Sequence, residues 1–174
     1  MVKISRSVMS VGLGLCISNV ERYIQDTRIL SYNNSIHAAM TLIFGLEEMG
    51  KLAHFLASMK ANRDPVEIDN RVFWEHGFKF TVARKLLGDD ALILYEGDFD
   101  EEDFSADFDT STEVSPVLRL SCTFVDYKDG DWLYGEPFDK RRFQELVDAM
   151  ERRFEELKAE AEKLMAESSA RVIK

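Results

Sequence analysis

Two stretches hold the side chains that could do chemistry. LEEMGKLAHFL (46–56) sets Glu47, Glu48 and Lys51 among leucines and phenylalanines of core type. NRVFWEHGFKFTVARKLL (70–87) carries Arg71, His76, Lys79, Arg84 and Lys85. Imidazole titrates near neutral pH and moves protons, while guanidinium grips anions through a planar fork of donors. At about 100° per residue, Ile36, Met40, Ile43, Glu47 and His54 share one helical face, which puts Glu47 in a core-facing position. A buried carboxylate is costly unless it is paired, and Lys51 stands at the favourable i, i+4 spacing from it. Glu48 points about a quarter-turn away, with His37 and Thr41. Two readings stay open here. One is a polar network that fixes helix packing, or a solvated Glu48 and Lys51; the other is a polar site inside a bundle. His76 shares a helical face with Phe73, Phe80, Ala83 and Leu87, which predicts partial burial, and Arg71 precedes it by about one turn.

The elements that must position these groups are mostly helical. The pattern predicts a first helix from about Met9 to Leu30, a turn at SYNNS (31–35), and a second helix over roughly 36–60. NRDPVEIDN (62–70) ends that helix, because proline disfavours helix in the residue before it. Asp69 or Asn70 can cap a third helix from about Arg71 to Leu87, which Gly88 stops. ALILY (91–95) fits a strand or a helix end. VLRLSCTFVDY (117–127) is rich in strand formers, and Asp129-Gly130 after it signals a hairpin. A last helix starts near Asp139, where Phe138 and Phe143 could form a hydrophobic staple. It carries Phe143, Leu146, Val147, Met150, Phe154, Leu157, Ala161 and Leu164 at 3–4 spacing. The fold class expected is mainly α, a helical bundle with a small β-hairpin before the C-terminal helix.

The 174 residues, 45% hydrophobic, suit one domain over 1–174 with a sizeable core. A formal charge of −10 argues against nonspecific binding of nucleic acid, which needs a basic surface. The acidity is local. Eleven of the 32 acids lie between Leu86 and Leu118, where there is no Lys or Arg. An acidic loop is expected at about 96–113. Cys16 and Cys122 form no CxxC pair and read as buried thiols of a cytoplasmic protein. The opening MVKISRSVMSVGLGLCISNVERY lacks a small-x-small cleavage site and continues in helical period, so it reads as a helix rather than a leader. No apolar run is long enough to cross a bilayer, so no membrane partner is expected.

CISNVERYIQDTRIL, AAMTLIFGLEEMGKLAHFL, FWEHGFK and FVDYKDGDW, in this order, resemble the AbiV abortive-infection proteins of the HEPN superfamily, from about Val11 to Met150. EEMGK and FVDYKDGDW are the most specific pieces. The resemblance implies a HEPN-like helical bundle, commonly a homodimer, acting in phage defence. Many HEPN domains are metal-independent ribonucleases whose motif is an arginine, four to six residues, then a histidine, and RVFWEH fits that spacing. It implies Arg71 and His76 as catalytic residues, with Glu47, Glu48, Lys51 and Lys79 as a supporting polar site. It implies no metal and no cofactor. The alternative is a non-catalytic interaction module that binds a phage-encoded or host protein and blocks translation or replication.

Charge adds candidates for RNA contact. Lys140, Arg141 and Arg142 crowd the first turn of a helix, where they oppose the macrodipole, so a negatively charged partner is expected. That partner is either the acidic loop or a phosphate backbone, a merely solvated cluster being the third reading, and Arg84 and Lys85 could extend the same surface. The loop, with Phe99, Phe104 and Phe108 among carboxylates, reads as a solvated segment, a docking segment or a nucleic-acid mimic. Asp98, Asp100 and Glu102 alternate as in a calcium loop, but Asp103 occupies the place of the sharp-turn glycine.

Overall fold

A computed structural model describes residues 1–32, 36–61, 64–88, 126–128, 131–133 and 140–172. Among them are five helices: α1 (Arg6–Ser31), α2 (Ile36–Ala61), α3 (Arg71–Trp74), α4 (His76–Leu87) and α5 (Lys140–Val172). Four three-residue strands accompany them: β1 (Val2–Ile4), β2 (Val66–Ile68), β3 (Asp126–Lys128) and β4 (Asp131–Leu133). The fold is mainly α, as expected from a HEPN-like bundle.

α2 is the central helix. Leu42, Ile43, Leu46, Met49, Leu52, Phe55, Leu56 and Met59 are all buried, and at about 100° per residue they cover roughly two thirds of the circumference. A helix apolar over so wide an arc is stable only when neighbours pack on several sides of it. α1, α4 and α5 pack against it. α1 turns Met9, Leu13, Cys16, Ile17, Val20 and Ile24 inward, and Ser5 caps its first turn through a side-chain oxygen that accepts from the Val8 amide at 3.4 Å. α5 buries Phe143, Leu146, Val147, Met150, Phe154 and Ala161, with Leu157 and Leu164 partly covered. Its apolar stripe was legible in the 3–4 spacing.

The strands form two antiparallel pairs. β3 and β4 pair with Lys128 opposite Asp131, which is the hairpin register that Asp129-Gly130 predicts. The other pair departs from the sequence reading. β1 pairs with β2, Val2 opposite Ile68 and Ile4 opposite Val66, where only a lead-in and a helix break were expected. Strands this short carry almost no periodic signal. Val66 and Ile68 are buried, so tertiary packing holds this pair in place.

The expected helix over 71–87 is also corrected. It breaks at Glu75, whose backbone is extended (φ −90°, ψ 110°). Val72 and Gly77 are both buried, yet on a straight helix residues five apart point about 140° from one another. The break lets both face the core. It also means that Arg71 and His76 sit on different helices. The apolar stretch at 91–95, the acidic loop, most of 117–127, Cys122 and the Phe138 staple with its Asp139 cap lie outside the described residues.

Candidate functional site

The site begins with a glycine. A Cβ placed on Gly50 would stand 1.9 Å from the Lys79 carbonyl oxygen and 2.8 Å from its carbon. Only glycine allows α4 to lie with its backbone against α2 at this point. That contact explains the odd composition of LEEMGK, because it brings the start of α4 opposite Glu47. Glu47 is almost fully buried, its side chain 4% exposed. Its Oε2 is 2.6 Å from His76 Nδ1 and 3.7 Å from Lys79 Nζ. Lys79 is buried with it, whereas the His76 side chain is 44% exposed. The expected partial burial of the His76 ring on an apolar face is therefore corrected: the ring stands at the surface with one nitrogen tied to an interior carboxylate. An ionised carboxylate can only accept, so Nδ1–H donates and Nε2 is the basic nitrogen of the neutral ring.

Lys51 does not pair with Glu47 at i, i+4. Its Nζ is 2.5 Å from Glu48 Oε1, at i, i+3. Asn19 Nδ2 of α1 donates to the other Glu48 oxygen at 3.4 Å. Glu48 and Lys51 are mostly covered, so neither is a freely solvated residue. Cys16 lies beside this pair. Burial first, then the Glu48 charge, pushes its thiol from 9.0 up to about 12, against the opposing pull of Lys51 and Lys79. Cys16 is thus a protonated core thiol at neutral pH.

Arg71 belongs to a second cluster. Its Nη2 and Nε donate to Asp69 Oδ2 at 2.7 and 3.0 Å, and its backbone amide donates to Asp69 Oδ1 at 3.0 Å. These bonds, the side-chain ones foremost, hold the Asp69 carboxyl down at about 2. The guanidinium also lies 4.7 Å from the centre of the Phe78 ring. Phe78 in turn meets the His54 ring edge-on at 5.3 Å. Burial lowers the His54 pKa, and its Nε2 is buried without a hydrogen-bond partner among the described residues. The stripe that put Glu47 and His54 on one face of α2 therefore holds, but its two ends serve different clusters. No hydrogen bond, ion pair or ring contact joins Arg71 to His76 among the described residues.

The AbiV family of HEPN proteins matches residues 9–152. The chain belongs to that family. No curated protein and no solved structure matches it. The matched region runs from α1 into α5 and contains both clusters, so the Glu47–His76–Lys79 and Asp69–Arg71–Phe78–His54 sets are features of the AbiV part of the chain.

Arg84 and Lys85 occupy the last turn of α4, roughly 12 Å along the axis from His76, where positive charge complements the helix dipole. Arg141 donates from Nε to Glu145 Oε1 at 3.0 Å, one turn along α5. The side chains of Lys140 and Arg142, and the acidic loop, lie outside the described residues. Sequence reasoning missed Asp69 as the Arg71 partner and His54 as a site neighbour. The signals were Asp69 two residues ahead of Arg71 and the place of His54 on the Glu47 face of α2.

Proposed function

We propose that this abortive-infection family protein is a cytoplasmic effector that cuts RNA by metal-independent acid–base chemistry and acts as a homodimer. The observation that carries this reading is the 2.6 Å bond between buried Glu47 and exposed His76. A carboxylate behind an imidazole fixes its tautomer and ring orientation and stabilises the imidazolium that forms when the ring accepts a proton. His76 Nε2 takes the proton of a ribose 2′-hydroxyl, and the 2′-oxygen attacks the adjacent phosphorus. The 5′-oxygen leaves with a proton, and the strand ends as a 2′,3′-cyclic phosphate and a free 5′-hydroxyl. A second imidazole, His76 of the partner subunit, donates that proton. Both proton steps are within the range of imidazole, so they need no Lewis acid.

Arg71 holds the phosphate and offsets the charge developing on it. Its present partner, Asp69, is near the surface, and such pairs are held weakly in water. A phosphate can therefore take the guanidinium fork from Asp69. Lys79 keeps a positive charge behind Glu47 and prevents the interior from holding an uncompensated anion. Arg84, Lys85 and the 140–142 cluster would contact the strand away from the scissile bond.

The test is RNA degradation in EDTA by wild type and by His76→Ala, with circular dichroism to confirm folding. Loss of roughly 100-fold or more in rate is expected for His76→Ala. A folded His76→Ala protein that cuts as fast as wild type overturns the reading. If folded Arg71→Ala and His76→Ala proteins both keep cellular toxicity, the chain acts instead by binding a protein partner.

A further inference from the structure

The α3–α4 junction exposes one large aromatic ring. Trp74, the last residue of α3, is 77% exposed, and its ring contact is a tilted one with Phe73 at 6.4 Å between centroids. One extended residue, Glu75, separates it from His76, so the two Cα atoms are roughly 6–7 Å apart. An indole left in water forgoes a large burial gain, and tryptophan concentrates at sites where a partner supplies that burial. Charge alone gives little attraction here. Arg71 is matched by Asp69, and Glu75 adds an exposed carboxylate next to His76. A ligand held at this junction therefore needs a planar apolar face as well as phosphate.

We infer that Trp74 is the stacking platform for a nucleobase and sets which nucleotide stands beside His76. This rests on the reading of the protein as an RNA-cutting effector. A ring so near the proposed base would receive the base of a nucleotide flanking the scissile phosphate. Every base has a π-face, so the site tolerates many sequences and selects single strands, whose bases are free to leave a neighbour. Trp74 is on this account a positioning residue, and the proton steps belong to His76.

The probe is a ten-nucleotide single-stranded RNA carrying 2′-O-methyl groups, which block the nucleophile. Its affinity is read by anisotropy of a labelled strand against wild type, Trp74→Phe and Trp74→Ala. About tenfold weaker binding is expected for Trp74→Ala, with most affinity kept by Trp74→Phe. In a Trp132→Phe protein, where Trp74 is the one remaining tryptophan, the same probe should quench fluorescence in a saturable way. Equal affinity of Trp74→Ala and wild type, or no binding by either, overturns the inference. So does a Trp74→Ala protein that binds the probe normally but loses mass in light scattering, because the ring then covers a second copy of the chain. The two readings fail separately. Binding that depends on Trp74 in a protein that cuts no RNA removes only the ribonuclease; cutting by wild type with binding indifferent to Trp74 removes only the platform.

Discussion

Two carboxylate–cation pairs flank the break between α3 and α4, and they differ in depth. Glu47 is 4% exposed, and Asp69 is 25% exposed. Glu47 holds His76 and Lys79 across two helices, whereas Asp69 holds Arg71 two residues along the same segment. Water screens the outer pair, so little stability depends on it and its guanidinium can change partners. Water does not reach Glu47 or Lys79 of the inner one, so removing the carboxylate leaves the Lys79 charge buried. The proposed function calls for one pair of each kind, one to hold an imidazole still and one to release a guanidinium to an anion.

Breaking the inner pair should have the largest effect. Glu47→Ala leaves Lys79 buried with its carboxylate gone, at about 3–5 kcal/mol. For a chain of this size that lowers the melting temperature by roughly 6–20 °C. Thermal melts of Glu47→Ala beside wild type check this, and a fall of only a degree or two would mean that Lys79 reaches other partners without strain. Gly50→Ala comes next. Its Cβ would meet the Lys79 carbonyl at 1.9 Å, so α4 must move away from α2, at about 1–3 kcal/mol or more for an overpacked contact. His76 should lose its fixed ring with that shift, and the proposed cutting of RNA in EDTA should fall even in protein that remains folded.

Depth also separates the two regions by pH. Cys16, buried beside Glu48 and Lys51, has a folded thiol pKa raised from 9.0 to about 12. A raised folded pKa contributes stability that is present below pH 9 and is lost as pH rises toward 12, because the unfolded thiol gives up its proton first. The stability difference between wild type and Cys16→Ala should shift against wild type over that window, measured by urea melts. Asp69 has its folded pKa depressed from 3.8 to about 2. Its contribution is present above pH 3.8 and fades as pH falls toward 2, and its exposure keeps that contribution small. The smallest effect on stability belongs to Arg71→Ala, which should melt close to wild type. A large fall there would show that the outer pair supports the fold and would blur the contrast.

Much of the bundle was readable from local spacing. The inward face of α5, the core position of Glu47 and the β3–β4 hairpin follow from periodicity and turn chemistry, which adjacent residues encode. What local spacing could not carry was partnership. Lys51 stood one turn from Glu47 and took Glu48 instead, because α4 brings His76 and Lys79 to Glu47.

The sequence by itself determined which faces are apolar, where the long helices run, and that a carboxylate at position 47 must find a partner in the interior. Only the tertiary structure decided which partner, that the helix over 71–87 breaks at Glu75, and that β1 crosses to β2. The reason is distance along the chain. Periodicity is a property of neighbours a few residues apart, whereas the Glu47–His76 contact spans 29 positions and depends on how closely two helix backbones approach. That approach is possible only because residue 50 has no side chain.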